Sequence, residues 1–217
     1  MNANTSLKEL NEVNWERYSH YKYYKDKIKS GYTMTVKLNV ENLMILKERC
    51  GYKLSSLIYF CICRALNRKH NLNFRIVEKD DKIWAYDSVN ILFKIFHEDN
   101  NTFSNVWARN NDNLLEFAEQ IEQVKDKYKN VHGVTIANDK PKNCIPVSII
   151  PWVHFESFCS DLFEETKNCF PLITIGMIKE NMMPVSVYVK HSVADGFHTA
   201  RLFNDIQDEI NSLGSDM

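Results

Sequence analysis

The chain has 217 residues, of which 44% are hydrophobic and 25% charged, a composition typical of a globular domain rather than of a disordered or membrane protein. Its 27 Lys and Arg residues nearly balance its 28 Asp and Glu residues, so no overall positive field is available to hold nucleic acid or an anionic membrane. No stretch approaches the ~18 consecutive apolar residues of a membrane span, and the N-terminus lacks the cationic and apolar segments of a secretory signal. We therefore expect one cytoplasmic domain over residues 1–217, without nucleic-acid or membrane partners.

The six cysteines are scattered along the chain, and only Cys61 and Cys63 lie close together in sequence. No Cys-x-x-Cys pair or His/Cys group has the spacing of a metal site. A chain of this length does not need disulfides to stabilise its fold, as small domains without a sufficient core do. We predict that most of the cysteines are reduced and buried, and that no metal is bound.

Taken in chain order, the first half of the sequence alternates strand and helix patterns. Residues 14–29 are aromatic and lysine-rich and predict a helix or turn, whereas the alternating, β-branched residues 32–38 predict a strand. The further elements predicted up to residue 128 are helices over 40–49 and 54–67, a hairpin of 74–78 with 82–86, strands over 89–97 and 103–109, and a helix over 112–128.

Strands dominate the second half of the sequence. After a loop over 130–143 that contains Gly, Asn, Asp and Pro, the predicted elements are strands over 145–150, 153–157, 172–179 and 184–190, and a final helix over 196–213. No repeat or flexible linker divides the chain. The order of elements predicts one α/β domain with a mixed, largely antiparallel sheet.

The junction between the last strand and the last helix carries the sequence HSVADGFH, residues 191–198. His191 directly follows a cleanly alternating strand, and Gly196 permits the sharp reversal into the helix. A histidine held in this way can project into a cleft and act as a general base, because imidazole gains and loses a proton near neutral pH. Asp195 is then either an orienting carboxylate or a structural anchor. From the spacing alone, a histidine satisfied by local hydrogen bonds at a helix start remains an open alternative.

The segment HSVADGFHTARLFNDIQDEI resembles the C-terminal block of the chloramphenicol acetyltransferases, specifically the trimeric type with the HHxxxDG signature. Similar segments follow the family's order and spacing across nearly the whole chain. They are NWER at 14–17, the stretch from FH at 96–97 to TFS at 102–104, SIIPWV at 148–153, FESF at 155–158 and FPLIT at 170–174. The resemblance implies a two-layer α+β sandwich whose sheet is covered by helices. It also implies an acetyl-CoA-dependent enzyme that acetylates a hydroxyl of chloramphenicol.

Roles for individual residues follow from the same resemblance. His191 matches the base that removes a proton from the acceptor hydroxyl, and Ser148 matches the serine that stabilises the oxyanion of the tetrahedral intermediate. Thr174 matches a residue that acts through bound water near the intermediate, although a core strand threonine is the alternative. Asp195 and Arg17 match a buried ion pair that holds the loop presenting His191.

The resemblance also implies residues that contact the two substrates. Trp152 stands where the family contacts CoA, with a packing tryptophan as the alternative. Tyr24, Phe103 and Phe158 match aromatic positions of the acceptor pocket. The chain departs from the family at Lys190 and Ala194 in the signature, and in the acceptor pocket at Lys94, Asn105, Ser160 and Asn168. These pocket changes mostly replace apolar surface with polar groups, so the sequence predicts acetyl transfer more firmly than it predicts chloramphenicol as the acceptor.

Two alternatives share this fold class: an O-acetyltransferase for another hydroxylated small molecule, and an inactive member that binds ligand without turnover. The intact set of His191, Ser148, Thr174, Asp195 and Arg17 argues against the inactive member. Dihydrolipoyl acyltransferases would add a lipoyl region, and peptide synthetase condensation domains are about twice as long. The resemblance further implies a homotrimer in which His191 of one subunit faces a pocket wall from its neighbour.

Overall fold

The computed structural model describes residues 6–160 and 168–213, and within these ranges the chain forms nine strands and five α-helices. The strands are β1 (Leu7–Leu10), β2 (Gly31–Asn39), β3 (Ile76–Lys79), β4 (Lys82–Tyr86), β5 (Asn90–His97), β6 (Thr102–Ala108), β7 (Cys144–Ile150), β8 (Leu172–Gly176) and β9 (Met182–Lys190). The helices are α1 (Tyr18–Asp26), α2 (Glu41–Cys50), α3 (Leu54–Asn67), α4 (Leu114–Tyr128) and α5 (Gly196–Ser212).

Six of the strands form one mixed sheet in the order β2-β9-β8-β7-β5-β6. The pairs β2·β9, β8·β9 and β5·β6 are antiparallel, whereas β7 runs parallel to both β8 and β5. The predicted mixed, largely antiparallel sheet is therefore confirmed. A second, three-stranded sheet has the order β1-β4-β3 and contains the predicted hairpin as β3 and β4. Only β1 lies outside the prediction, because it is four residues long and carries no clear alternation.

The core lies between one face of the large sheet and the helices. Val147, Ile173 and Val187 point to this side from three neighbouring strands, and each is at most 1% exposed. Helix α3 is buried over nearly its whole length and contacts both α4 and α5. Each fully buried aliphatic side chain of this kind contributes about 1.5–3 kcal/mol, so this layer of contacts holds the sheet against the helices.

The opposite face of the large sheet carries polar side chains at its centre. The strand register aligns Thr35, Ser186, Thr174 and Ser148 in one row across β2, β9, β8 and β7. The segment after β7 crosses part of this face, since the Ser186 hydroxyl donates to the carbonyl oxygen of Phe158 at 2.5 Å. The resemblance assigns two residues of this row, Ser148 and Thr174, to the reaction.

Two of the predicted strands are wrong: one does not form, and one ends earlier than predicted. Residues 153–157, predicted as a strand, leave the sheet after Pro151 and keep a single backbone bond, from Met177 N to Val153 O at 2.8 Å. The strand predicted over 172–179 ends at Gly176. Gly176 marks the crossing point, since a Cβ there would lie 2.7 Å from both the Phe155 ring and Pro184 Cγ. In the described parts of the chain, no helix is long and apolar enough to cross a membrane.

Candidate active site

His191 lies immediately after β9, where the chain turns into α5. Its backbone N–H donates to the carbonyl oxygen of Ser30 at 2.9 Å, which continues the β2·β9 pairing by one residue. Its ring Nδ1 lies 3.2 Å from the carbonyl oxygen of Ala194. Because a carbonyl oxygen can only accept, Nδ1 carries the hydrogen, and the lone pair of the neutral ring is on Nε2. The local fold thus selects the tautomer that a base using Nε2 requires.

Two tyrosines fix the plane of this imidazole. The Tyr24 ring, from α1, stacks on it with centroids 4.0 Å apart and an interplanar angle of 14°. The Tyr32 ring, from β2, meets it edge-on at 5.4 Å, and its hydroxyl is 2.6 Å from Oγ1 of Thr199. Sequence reasoning assigns Tyr24 to the acceptor pocket and does not identify Tyr32. The available signal for Tyr32 is its position on the strand that pairs with the end of β9.

Arg17 and Asp195 form an ion pair beside the His191 backbone. Arg17 Nη1 lies 2.6 Å from Asp195 Oδ2, and Arg17 is only 8% exposed. The same guanidinium donates to the carbonyl oxygens of His191 at 2.8 Å and Ser192 at 3.3 Å. The pair therefore binds the loop on which His191 sits, and the described contacts of Asp195 do not include the His191 ring.

Asp195 also begins α5 as its N-cap. Its Oδ1 accepts from the backbone N–H of Phe197 at 3.1 Å and lies 2.7 Å from Nδ1 of His198 in the first turn of the helix. Partial burial raises the pKa of the Asp195 carboxyl, but its bonds to His198 and Arg17 outweigh burial and bring the pKa down to about 2. The carboxylate is thus ionised at neutral pH and fully occupied with structural partners.

Ser148 and Thr174 lie side by side on β7 and β8, on the polar face of the sheet. Neither hydroxyl has a hydrogen-bond partner among the described residues, whereas the neighbouring Ser186 hydroxyl is bonded to Thr35 and to Phe158. Thr174 pairs with Ser186, and His191 follows five residues further along β9. At ~3.3 Å per strand residue, about 16 Å separates His191 from this row. Ser148 and His191 of one chain therefore do not meet.

Lys94 and Asn105 face each other across β5 and β6 on the same polar face. Lys94 Nζ lies 5.5 Å from the centroid of the Phe103 ring, and burial lowers the pKa of Lys94. No hydrogen bond or ion pair joins Lys94 to a described residue, and Asn105 Oδ1 is buried without a hydrogen-bond partner in the described ranges. Three of the predicted acceptor residues, Lys94, Asn105 and Phe103, thus lie together. The Lys94 ammonium and the Asn105 Oδ1 atom have no hydrogen-bond partner in the described ranges and could bind a ligand.

The remaining predicted contact residues are more dispersed. Phe158 packs on Phe155, with ring centroids 5.6 Å apart, and Ser160 follows it in the segment that crosses the polar face. Asn168 instead bridges Val77 at the edge of the small sheet. Trp152 is 63% exposed and touches the Phe96 ring edge-on at 4.8 Å, so it is a surface residue rather than a core tryptophan.

One group of potential metal ligands lies away from these residues. His97, Asp99 and His132 each offer a ligand atom, and these atoms all lie within 4.8 Å of one another. Sequence reasoning predicts no metal site, because it searches for ligands at short, regular spacing and His132 lies far along the chain from the other two residues.

Comparison with known proteins identifies the family. A sequence model of the family described as chloramphenicol acetyltransferase matches residues 4–207. Chloramphenicol acetyltransferase 2 of Escherichia coli is 31% identical over 197 residues, which cover 89% of this chain and 92% of the relative. Chloramphenicol acetyltransferase 3 of Escherichia coli is 30% identical over 203 residues, covering 92% and 94%.

A solved chloramphenicol acetyltransferase superimposes with a TM-score of 0.80 at 18% identity, covering 94% of this chain and 100% of that one. This similarity confirms the predicted fold. The match to the sequence model over nearly the whole length confirms the resemblance first seen in the residues around His191. The chain belongs to the chloramphenicol acetyltransferase family and is an acyltransferase.

Proposed function

We propose that the chain is a single-domain O-acetyltransferase that transfers the acetyl group of acetyl-CoA to a hydroxyl of chloramphenicol. The observation that carries this proposal is the arrangement of the His191 ring, which contacts two tyrosines. Its Nδ1–H donates to a backbone carbonyl oxygen, so Nε2 is the nitrogen that can act as the base. Family membership supplies the reaction class, and the names of the relatives supply the acceptor.

In the proposed reaction, Nε2 of His191 takes the proton of the acceptor hydroxyl while the oxygen attacks the thioester carbonyl. A C–O bond forms, and the carbonyl oxygen becomes an oxyanion that accepts a hydrogen bond from the Ser148 hydroxyl. Thr174, next to Ser148, holds a water beside the same oxyanion. Collapse of the intermediate breaks the C–S bond, and the CoA thiolate takes the proton from the His191 imidazolium. Trp152 offers an exposed ring on which CoA can pack.

The proposed reaction needs two copies of the chain, because about 16 Å separates His191 from the Ser148 row within one copy. We therefore propose a homotrimer in which His191 of each subunit reaches Ser148 and Thr174 of its neighbour. The Ser148 and Thr174 hydroxyls, which bond to no described residue, support this arrangement, since groups of a neighbour can meet them. The free cysteines of the described ranges fit a reducing compartment, and we propose a cytoplasmic location.

The test of the shared site is complementation between two inactive variants. His191→Ala and Ser148→Ala chains are denatured together and refolded as a mixture, with each variant refolded alone as the control. If the site is shared, about a quarter of the sites in a random trimer pair an intact His191 with an intact Ser148 and regain full turnover. A mixture no more active than the better single variant would contradict the shared site.

The acceptor is tested by acetyl-CoA-dependent thiol release with and without chloramphenicol, together with mass analysis of the product. Chloramphenicol-dependent release and a mono-acetylated product are expected. A second candidate is an O-acetyltransferase for a hydroxylated molecule that also carries an anionic group. Lys94 favours it, because an anion would compensate a buried cation that has no partner in the described structure. Absence of chloramphenicol-dependent release at millimolar antibiotic would favour this second candidate.

A further inference from the structure

We propose that His97, Asp99 and His132 bind a divalent transition-metal ion, with zinc as the natural occupant. Their three ligand atoms lie within 4.8 Å of one another. Atoms that share one zinc ion at bond lengths of ~2.0–2.2 Å lie no more than ~4.4 Å apart, so closure around an ion requires only a small shift of exposed side chains. The ring centroids of His97 and His132, 4.2 Å apart, allow one nitrogen of each to reach the same ion.

The ligands come from two segments that the fold brings together. His97 is the last residue of β5, and Asp99 follows in the turn to β6. His132 lies just beyond α4, where the N–H of Val131 donates to the carbonyl oxygen of Tyr128 at 3.0 Å. An ion at this point would therefore connect the β5–β6 hairpin to the segment that leaves α4.

His97 is held in the state that a metal ligand needs. It is only 3% exposed, and its Nε2 lies 2.8 Å from the Ser104 hydroxyl. That hydroxyl donates its single hydrogen to the carbonyl oxygen of Val131, so it must accept from Nε2–H of His97. The lone pair of the neutral His97 ring is therefore on Nδ1, which is not hydrogen-bonded to any described residue. Ser104 acts as the outer partner that commonly orients a metal-binding histidine.

The other two ligands already bind each other in the absence of an ion. Nε2 of His132 lies 3.0 and 3.2 Å from the two carboxylate oxygens of Asp99. A bound ion would replace the hydrogen of His132 between the two groups.

The donor set decides which ion fits. Two imidazoles and one carboxylate suit zinc, nickel, copper or cobalt, whereas magnesium and calcium prefer oxygen ligands alone. The segment that carries His132 also reaches the edge of β6. Asn105 N donates to the carbonyl oxygen of Val134 at 3.0 Å, so the segment carrying His132 lies along β6 beside a predicted acceptor residue. An ion here would fix the position of that segment.

The test uses the full chain, stripped with EDTA and titrated with zinc by calorimetry, and with cobalt by visible absorption. We expect one site per chain, a higher Tm with zinc, and no change with the same concentration of magnesium. His132→Asn should weaken zinc binding at least about 100-fold, and Ser104→Ala about tenfold or more through the lost orientation of His97. His20→Asn, at an exposed histidine on α1, is the matched control and should bind as the parent does.

Because His132 is exposed, its replacement should leave the far-ultraviolet circular dichroism unchanged. Absence of stoichiometric zinc binding to the parent chain would overturn the proposal. Zinc binding that survives both His132→Asn and Asp99→Asn would overturn it equally, because the ion would then lie elsewhere. Neither readout depends on acetyl transfer, so the result is independent of the proposed function.

Discussion

The ion pair between Arg17 and Asp195 gives the sharpest prediction, through the variant Asp195→Asn. Asparagine is as good an N-cap as aspartate, so the start of α5 is preserved and only the charge is removed. Arg17 then keeps its two carbonyl acceptors but loses its ionic partner at 2.6 Å. The variant therefore removes the charge that pairs with both Arg17 and His198 and keeps the helix cap.

The magnitude follows from the pKa of Asp195, which falls from 3.8 to about 2. At ~1.4 kcal/mol per pKa unit, this shift corresponds to ~2.4 kcal/mol. The Asp195 side chain is 37% exposed, so solvent screening reduces the figure, and we expect a loss of about 1 kcal/mol. For a chain of this length, that loss lowers the Tm by about 3 °C at fixed protein concentration.

The pH dependence has a definite sign. Because folding lowers the pKa of Asp195, its contribution is fully present above about pH 4 and is lost as the pH falls towards 2. The Tm difference between parent and Asp195→Asn should therefore be constant near neutral pH and shrink between pH 4 and pH 2. The kcat of the variant should fall about tenfold or more, because Arg17 no longer holds the His191 loop firmly.

The matched control is Asp126→Asn, which removes an exposed carboxylate that pairs with Lys129 at 2.7 Å on the surface of α4. Surface pairs of this kind contribute little, so its Tm and kcat should match those of the parent. Equal Tm and equal kcat for Asp195→Asn and the parent at pH 7 would refute the assignment of the ion pair as the support of His191.

Three further substitutions probe the sheet. Ser148→Ala should lower kcat about 100-fold, which corresponds to ~3 kcal/mol, and should leave KM nearly unchanged, because the Ser148 hydroxyl acts only on the oxyanion. A change confined to KM would contradict that role. Lys94→Thr should lower the KM for chloramphenicol about fivefold or more by removing a desolvated cation, and an unchanged KM would place the ammonium outside the acceptor pocket. Gly176→Ala should lower the free energy of unfolding, measured in urea, by about 1–3 kcal/mol, because the new Cβ would lie 2.7 Å from Phe155 and Pro184. An unchanged free energy of unfolding would show that the crossing segment moves freely.

Local periodicity was enough to predict most elements, because side-chain burial follows the repeat of a helix or a strand. The alternation before His191 predicted β9, and the apolar stretch around Leu57 predicted the buried helix α3. The strand predicted over 153–157 does not form because Phe155 packs across the sheet against Gly176 instead of pairing within it. Periodicity reports which residues are buried and does not report what buries them.

The candidate site was predictable only where an ordered resemblance linked distant residues. Arg17 and Asp195 lie 178 positions apart, and no local pattern joins them. Tyr32 and the group of His97, Asp99 and His132 escaped prediction for the same reason, since their neighbours come from other elements of the fold. The resemblance could not assign them, because each is a contact that only the folded chain brings together.

The distance between His191 and Ser148 also affects how mixed populations of this enzyme would behave. Under the proposed trimer, each chain contributes half of one site and half of the next, so a chain that has lost both residues disables two sites. Co-expression of such a chain with the parent would therefore remove more activity than its share of the subunits, a dominant-negative effect. Dilution below the dissociation constant of the trimer would abolish activity. Specific activity would then depend on the fraction of chains assembled into trimers as well as on the rate of acetyl transfer.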